Sequence, residues 1–315
     1  MTCGCGYQFA FDPKRDGMTD ARFTAALRAV SANGTYYFTL NGLHAELCRR
    51  PGKGPLAPMI VSGVTLAIGA FVIFSEGPLF LAIILGVVSL LSALRAAYVV
   101  FHNKAWYSMS QVEKFVHSFG GEPQRQYLDK LLLTPDMHQP PPDWPEPDIY
   151  DYGVERLLIV ERDLMVDLLV RNGFHAEHNT LVLSESGYPS YLVPRAVKAL
   201  EENPEMPVHL LHDATAHGAA MAERLRDSRL LPIEGRPLVD LGLNMQDVRR
   251  MKGMQAIGAD KWDQGVPVDT LRFGTLGLGV GLALAEQQSL GELLEMAENQ
   301  GKKGADDGGS SSGFG

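Results

Sequence analysis

The chain has 315 residues, of which 45% are apolar and 21% charged, with a formal net charge of −9. That length and apolar content support a sizeable core and exclude a disordered chain, and three cysteines exclude a disulfide-built miniprotein. An odd cysteine count with no cleavable leader points to a reducing compartment.

In chain order, residues 1–55 read as a small α+β module. A helix over Asp20 to Val30 places Phe23, Leu27 and Val30 on one stripe. Asn33-Gly34 makes a turn, Tyr36 to Phe38 is an aromatic strand, and a short helix carries Leu43 and Leu47. On that helix His44 and Cys48 lie one turn apart. With Cys3 and Cys5 they have the composition of a Cys₃His zinc site, free thiols being the alternative.

Residues 56–101 read as a transmembrane hairpin. Leu56 to Ser75 contains no charge, Glu76-Gly77-Pro78 forms a turn, and Leu79 to Phe101 is interrupted only by Arg95. A helix of about 20 apolar residues spans the hydrocarbon core. Arg49, Arg50, Lys53, Arg95 and Lys104 flank the runs, so the positive-inside tendency puts both termini in the cytoplasm of an inner or plasma membrane, with the lipid bilayer as a partner. A buried soluble hairpin is the alternative.

Residues 102–150 read as a linker, stiffened by Pro140, Pro141, Pro142, Pro145 and Pro147. From 151 to 290, short β-rich runs alternate with helical patterns, the signature of a parallel α/β sheet with flanking helices. Strands are expected at Leu157–Val160, Leu181–Leu183, Val208–Leu211 and near Leu238–Leu241. Helices are expected at Asp163–Asn172, Pro194–Glu202 and Ala219–Asp227. The glycine-rich apolar run Leu276–Ala285 is too short to span and reads as a buried packing helix or an interfacial segment. Residues 291–315 end in a Gly/Ser tail.

Parallel sheets carry their chemistry at the carboxyl ends of strands. Three acids stand there: Glu161, Glu185 and Asp213. Gathered together they suit Mg²⁺; taken singly they suit solvated loops or helix caps.

These positions also carry a family resemblance. Val160-Glu161-Arg162, Gly187-Tyr188-Pro189 with Arg195, Asp213-Ala214-Thr215-Ala216-His217-Gly218, and Leu241-Gly242-Leu243 resemble the ordered motifs of the Toprim domain in the topoisomerase VI A subunit and the related meiotic double-strand-break endonucleases. The resemblance implies a Toprim fold over about Glu155 to Asp247, with Mg²⁺ held by a glutamate and an Asp-x-Asp pair for phosphodiester chemistry. Glu161, Asp213 and Gly218 match that pattern. Thr215 stands at the second aspartate, Ala216 at the proline, and Ser186 at a usually basic position. Phe38-Thr39-Leu40-Asn41-Gly42-Leu43-His44-Ala45 resembles the winged-helix segment that bears the family's nucleophilic tyrosine, with Ala45 in its place.

The charge opposes a nuclease. From His102 onward 20 basic residues face 32 acidic ones, a balance of −12, whereas DNA affinity rests on neutralising phosphates. Arg249, Arg250 and Lys252 form a candidate nucleic-acid patch, with solvated helix faces as the alternative. The expectation is therefore a membrane-anchored interaction or regulatory module that meets protein partners through a degenerate Toprim-like domain. A Mg²⁺-dependent phosphodiester-cleaving or phosphoryl-transfer enzyme is the second reading.

Overall fold

The computed structural model describes residues 9–49, 60–68, 79–101, 107–119, 125–139, 153–257 and 265–297. The chain divides into two compact units, one made of Met1–Cys48 with Tyr107–Gly315 and the other of Arg49–Trp106.

The larger unit is built on a four-stranded parallel sheet: β3 (Arg156–Val160), β4 (Thr180–Ser184), β5 (Val208–Leu211) and β6 (Leu238–Asp240), in the order β4-β3-β5-β6. The register sets Val160 beside Ser184 on one side and beside Leu211 on the other. Strands β3, β4 and β5 are almost wholly apolar because both faces of the sheet are covered. On one face lie α3 (Asp163–Arg171), contributing Met165, Val166 and Leu169, and α7 (Phe273–Glu286), contributing Leu276, Val280 and Leu284. On the other lie α4 (Val193–Glu202), contributing Ala196 and Leu200, and α5 (Met221–Ser228), contributing Met221 and Leu225. A fully buried Leu, Val or Met side chain of this kind contributes about 1.5–3 kcal/mol. The glycine-rich run is thus a buried packing helix. Gly279 and Gly281 bring it close to Leu290 and His178, where an added Cβ would lie 2.6 and 2.5 Å away.

Ahead of the sheet, α1 (Asp20–Val30) and α2 (Leu40–Cys48) pack around Phe11, Phe23, Leu27, Leu43 and Leu47 with Phe115 and Phe119 from farther along the chain. Thr19 caps α1 by accepting from the Arg22 N–H. The short β1 (Phe38–Thr39) pairs in parallel with β2 (Leu131–Leu132), a pairing across some ninety residues that no local pattern announces. A further short helix, α6 (Met245–Arg250), follows β6 and is closed by an Asn244–Asp247 capping box.

In the smaller unit, residues 60–68 and Leu79–Phe101 are helical, and Ser62 and Ser89 join them by reciprocal hydroxyl-to-carbonyl bonds of 3.1 and 3.0 Å. This corrects the transmembrane reading of residues 56–101. Among the described residues no helix is long and apolar enough to cross a membrane. The membrane localisation and its orientation fall with that reading. The turn at Glu76 to Pro78, the proline run from Pro140 and the Gly/Ser tail lie outside the described residues.

Candidate functional site

The sheet order makes a switch point between β3 and β5, from whose carboxyl ends the chain leaves toward opposite faces. Glu161 and Asp213 follow those two strands, and the structure brings them together: the Asp213 N–H donates to Glu161 Oε2 at 2.8 Å. Gly218 closes the loop. A Cβ there would meet the Asp213 carbonyl oxygen at 2.3 Å and Glu161 Oε2 at 2.9 Å, so this position accepts no side chain.

The cation at this point is Arg162. Its Nε and Nη2 donate to Asp213 Oδ2 and Oδ1 at 2.7 and 3.1 Å, and Nη2 also donates to Asp269 Oδ1 at 2.6 Å. Asp213 Oδ1 takes a further bond from the Val268 N–H at 2.8 Å. Asp269 accepts from the Thr39 hydroxyl at 2.5 Å and from Asn41 Nδ2 at 3.2 Å. Asp269 is fully buried, Asp213 nearly so, and Arg162 is 29% exposed at its side chain. Burial opposes the charge on Arg162, but Asp269 and then Asp213 more than offset this and hold its pKa above the usual value. Two carboxylates share one guanidinium. Burial, aided by the neighbouring Asp269 charge, accordingly pushes the Asp213 carboxyl above its ordinary range despite Arg162.

The other expected residues are placed elsewhere. Glu185 is bound by Arg224 through Nε and Nη2 at 2.6 and 2.7 Å. Thr215, at the position of the second aspartate, caps a short helical turn by accepting from the Gly218 N–H at 2.8 Å. His212 is buried between the Asp213 carbonyl at 2.8 Å and Asp240 Oδ1 at 3.0 Å. Burial lowers its pKa, but Asp240, the Asp213 carbonyl and Glu161 together raise it more, and the net shift is upward. Exposed His217 offers its carbonyl to Arg224. Ala45 is fully buried on α2. Arg249 and Arg250 are exposed on α6, with Arg250 lying 3.6 Å from Glu295, and the Lys252 side chain lies outside the described residues.

The side chains as placed do not suit Mg²⁺. The carboxylate oxygens of Asp213 face Arg162, those of Glu185 face Arg224, and Thr215 supplies no charge. Among the described residues no group of three or more His, Cys, Asp or Glu side chains is placed to hold a metal. On α2, His44 Nε2 and Cys48 Sγ lie 3.4 Å apart, while Cys3 and Cys5 lie outside the described residues. Burial lowers the His44 pKa, against the hydrogen bond to the Tyr107 carbonyl, which raises it.

A second buried cluster was not foreseen. Tyr188, of the Gly-Tyr-Pro motif, donates to Asp167 Oδ1 at 2.6 Å and accepts from the Met137 N–H at 2.5 Å. The Asp136 N–H donates to Asp167 Oδ2 at 2.9 Å, and Arg171 pairs with the Asp136 carboxylate. Its only local signal was an acid inside the apolar stretch Met165 to Val170.

Compared with known proteins, residues 156–228 match the family of Toprim domains shared by the topoisomerase 6 A protein and Spo11. Over 77 residues the chain is 32% identical to the A chain of type 2 DNA topoisomerase 6 from Saccharolobus shibatae, 34% to that from Hyperthermus butylicus and 32% to that from Aeropyrum pernix. Each alignment covers 24% of this chain and 20% of the relative's length, so the chain spans about a fifth of the curated relatives it matches. No solved structure matches the chain significantly. A domain of this family is compatible with Mg²⁺ in general, although here the arginines occupy the carboxylates. Residues 156–228 thus match a Toprim domain of the topoisomerase 6 A type, with strands β3, β4 and β5 and the Glu161–Asp213 corner inside the matched segment.

Proposed function

We propose that this chain uses its Toprim domain as a non-cleaving interaction module for protein partners, its acidic corner serving as an internal ionic latch. The observation that carries the reading is Arg162, whose guanidinium is held by both Asp213 and Asp269. A latch of this kind supports a rigid binding surface and ties the domain, through Thr39 and Asn41, to the segment where β1 meets α2. Thr215 and Ala45, at the positions of a metal-binding aspartate and a nucleophilic tyrosine in the resemblance, support the same conclusion. So does the −12 charge of the chain beyond His102, which repels nucleic acid.

The second reading, a divalent-metal phosphodiesterase, draws support from the 2.8 Å contact between Glu161 and the Asp213 backbone. Incubation of supercoiled plasmid with the full-length chain and Mg²⁺ or Mn²⁺ separates the two. The proposal expects no nicking, linearisation or relaxation above that of Glu161→Ala. Divalent-dependent cleavage that disappears in both Glu161→Ala and Asp213→Ala would establish the enzyme instead.

A further inference from the structure

We propose that the outer face of α7 is a self-complementary docking surface, on which a second copy of this chain packs its own α7 antiparallel about a two-fold axis. From Phe273 to Ala285 the helix contains no charged residue. A helix that is apolar all round is a buried helix, yet α7 is covered on the side that carries Leu276, Val280 and Leu284 and open on the other. The open side presents Gly274, Leu278 and Leu282, each one turn from the next. Leu278 is 68% exposed and Leu282 48%, and among the described residues from 153 to 297 the one other large apolar side chain left exposed is Met296. An apolar strip of this kind marks a contact surface rather than free solvent-facing helix. It runs on into a groove of about 970 Å³, lined by Gly274 and Thr275 of α7, by Ala25, Arg28 and Ala29 of α1, and by Arg272.

Symmetry and charge identify the occupant. The Leu278–Leu282 pair is centred on residue 280, at the middle of Phe273–Glu286. With a two-fold axis there, each Leu278 meets the partner's Leu282, each Thr275 meets the partner's Ala285, and each Gly274 meets the partner's Glu286. The small residues toward the ends let the two helices close to the roughly 8–10 Å of a packed pair.

The ends of the strip are oppositely charged. Arg272 precedes the first turn of α7, with Arg28 on the same groove. Arg272 uses Nε and Nη2 on Glu46, which leaves Nη1 outside that pair. Glu286 closes the helix at its far end, exposed to solvent. Antiparallel pairing brings each Glu286 to within about 3 Å, along the helix axis, of the level of the other copy's Arg272. It also sets the negative end of each helix dipole against the positive end of the other. A parallel pair would instead place Arg272 beside Arg272 and Glu286 beside Glu286. One helix pair with the mouth of a groove is a contact of the small, transient class, so the dimer is expected at a Kd of about 10–100 μM.

Sedimentation equilibrium of the full-length chain between about 5 and 300 μM tests this. Wild type is expected to pass from monomer to dimer over that range. Leu278→Lys, Leu278→Glu and Leu282→Glu each put a charge on the strip without touching the covered side of α7, and each alone should dimerise at least about tenfold more weakly. The register is read by mixing. Leu278→Lys with Leu282→Glu should recover the dimer, because antiparallel pairing sets the lysine against the glutamate. Leu278→Lys with Leu278→Glu should not, since those two positions never meet. Wild type that stays monomeric throughout overturns the proposal, as does association of unchanged strength in all three variants, which would place the contact elsewhere on the chain. Recovery by the second mixture and not the first also overturns it, because that outcome requires parallel helices.

Discussion

Replacing Arg162 with methionine is expected to lower unfolding stability by about 3–5 kcal/mol, the cost of leaving buried carboxylates without their counter-ion. Methionine retains most of the stem volume and removes the guanidinium, so the loss reports the charge and its hydrogen bonds rather than a cavity. Asp269 is fully buried and Asp213 is 7% exposed at its side chain, so neither recovers hydration when Arg162 is gone. Arg162→Lys should also be destabilised, by less, because an ammonium is a point charge and does not form the fork that spans both acids. Adding Asp269→Asn to the methionine variant should restore part of the loss by removing one of the stranded charges. Denaturant titration of the four proteins measures this. A methionine variant within about 0.5 kcal/mol of wild type would show that the latch contributes nothing.

The second large effect is a pH dependence centred on Asp167. Burial raises its carboxyl to about 6, with hydrogen bonds from Tyr188 and from the Asp136 backbone opposing the rise. In the unfolded chain it titrates near the ordinary 3.8. Between these values the folded protein binds more protons than the unfolded one, so stability falls as pH rises. The contribution is complete below about pH 4 and is lost above about pH 6, and a shift of this size is worth at most about 3 kcal/mol. The difference in unfolding free energy between wild type and Asp167→Asn, followed from pH 4 to 7, should therefore move by about 1–3 kcal/mol in favour of the asparagine variant. Groups common to both proteins cancel in this comparison. A constant difference across the window would place the Asp167 pKa at its ordinary value.

Most of the sheet was legible because its signal is local. Val208–Leu211 is a strand over the expected residues, and the Leu157–Val160 and Leu181–Leu183 runs extend by one or two residues as β3 and β4. The stripe Phe23, Leu27 and Val30 is buried as expected on α1. Gly173, at φ +79, stops α3 where the helix pattern ended. The glycine-rich run resolved into the buried α7, one of its two readings. The hairpin shows the limit of hydropathy: a charge-free run suggested a span, but among the described residues no helix is both long and apolar enough to cross a membrane.

The site was half legible. Strand ends pointed to Glu161 and Asp213, which do meet, and to Glu185, which Arg224 holds apart from them. Arg162 was visible only as a neighbour in a motif. Asp269 was not visible at all, because it reaches the corner from 107 residues beyond Arg162 and sits in a short 3₁₀ turn with no pattern of its own. The β1–β2 pair and the Asp167–Tyr188 cluster were hidden for the same reason. They join distant segments through a few polar atoms, and neither periodicity nor composition records such contacts.

The most direct test is a Mn²⁺ titration of the full-length chain against Asp213→Asn, with free Mn²⁺ followed by its electron paramagnetic resonance signal. A corner occupied by Arg162 predicts that both proteins leave the same amount of Mn²⁺ free at concentrations up to about 1 mM, a Kd range corresponding to about −4 kcal/mol of binding energy. Uptake of one Mn²⁺ by the wild type, abolished by Asp213→Asn, would contradict the latch and make the acidic corner a metal site.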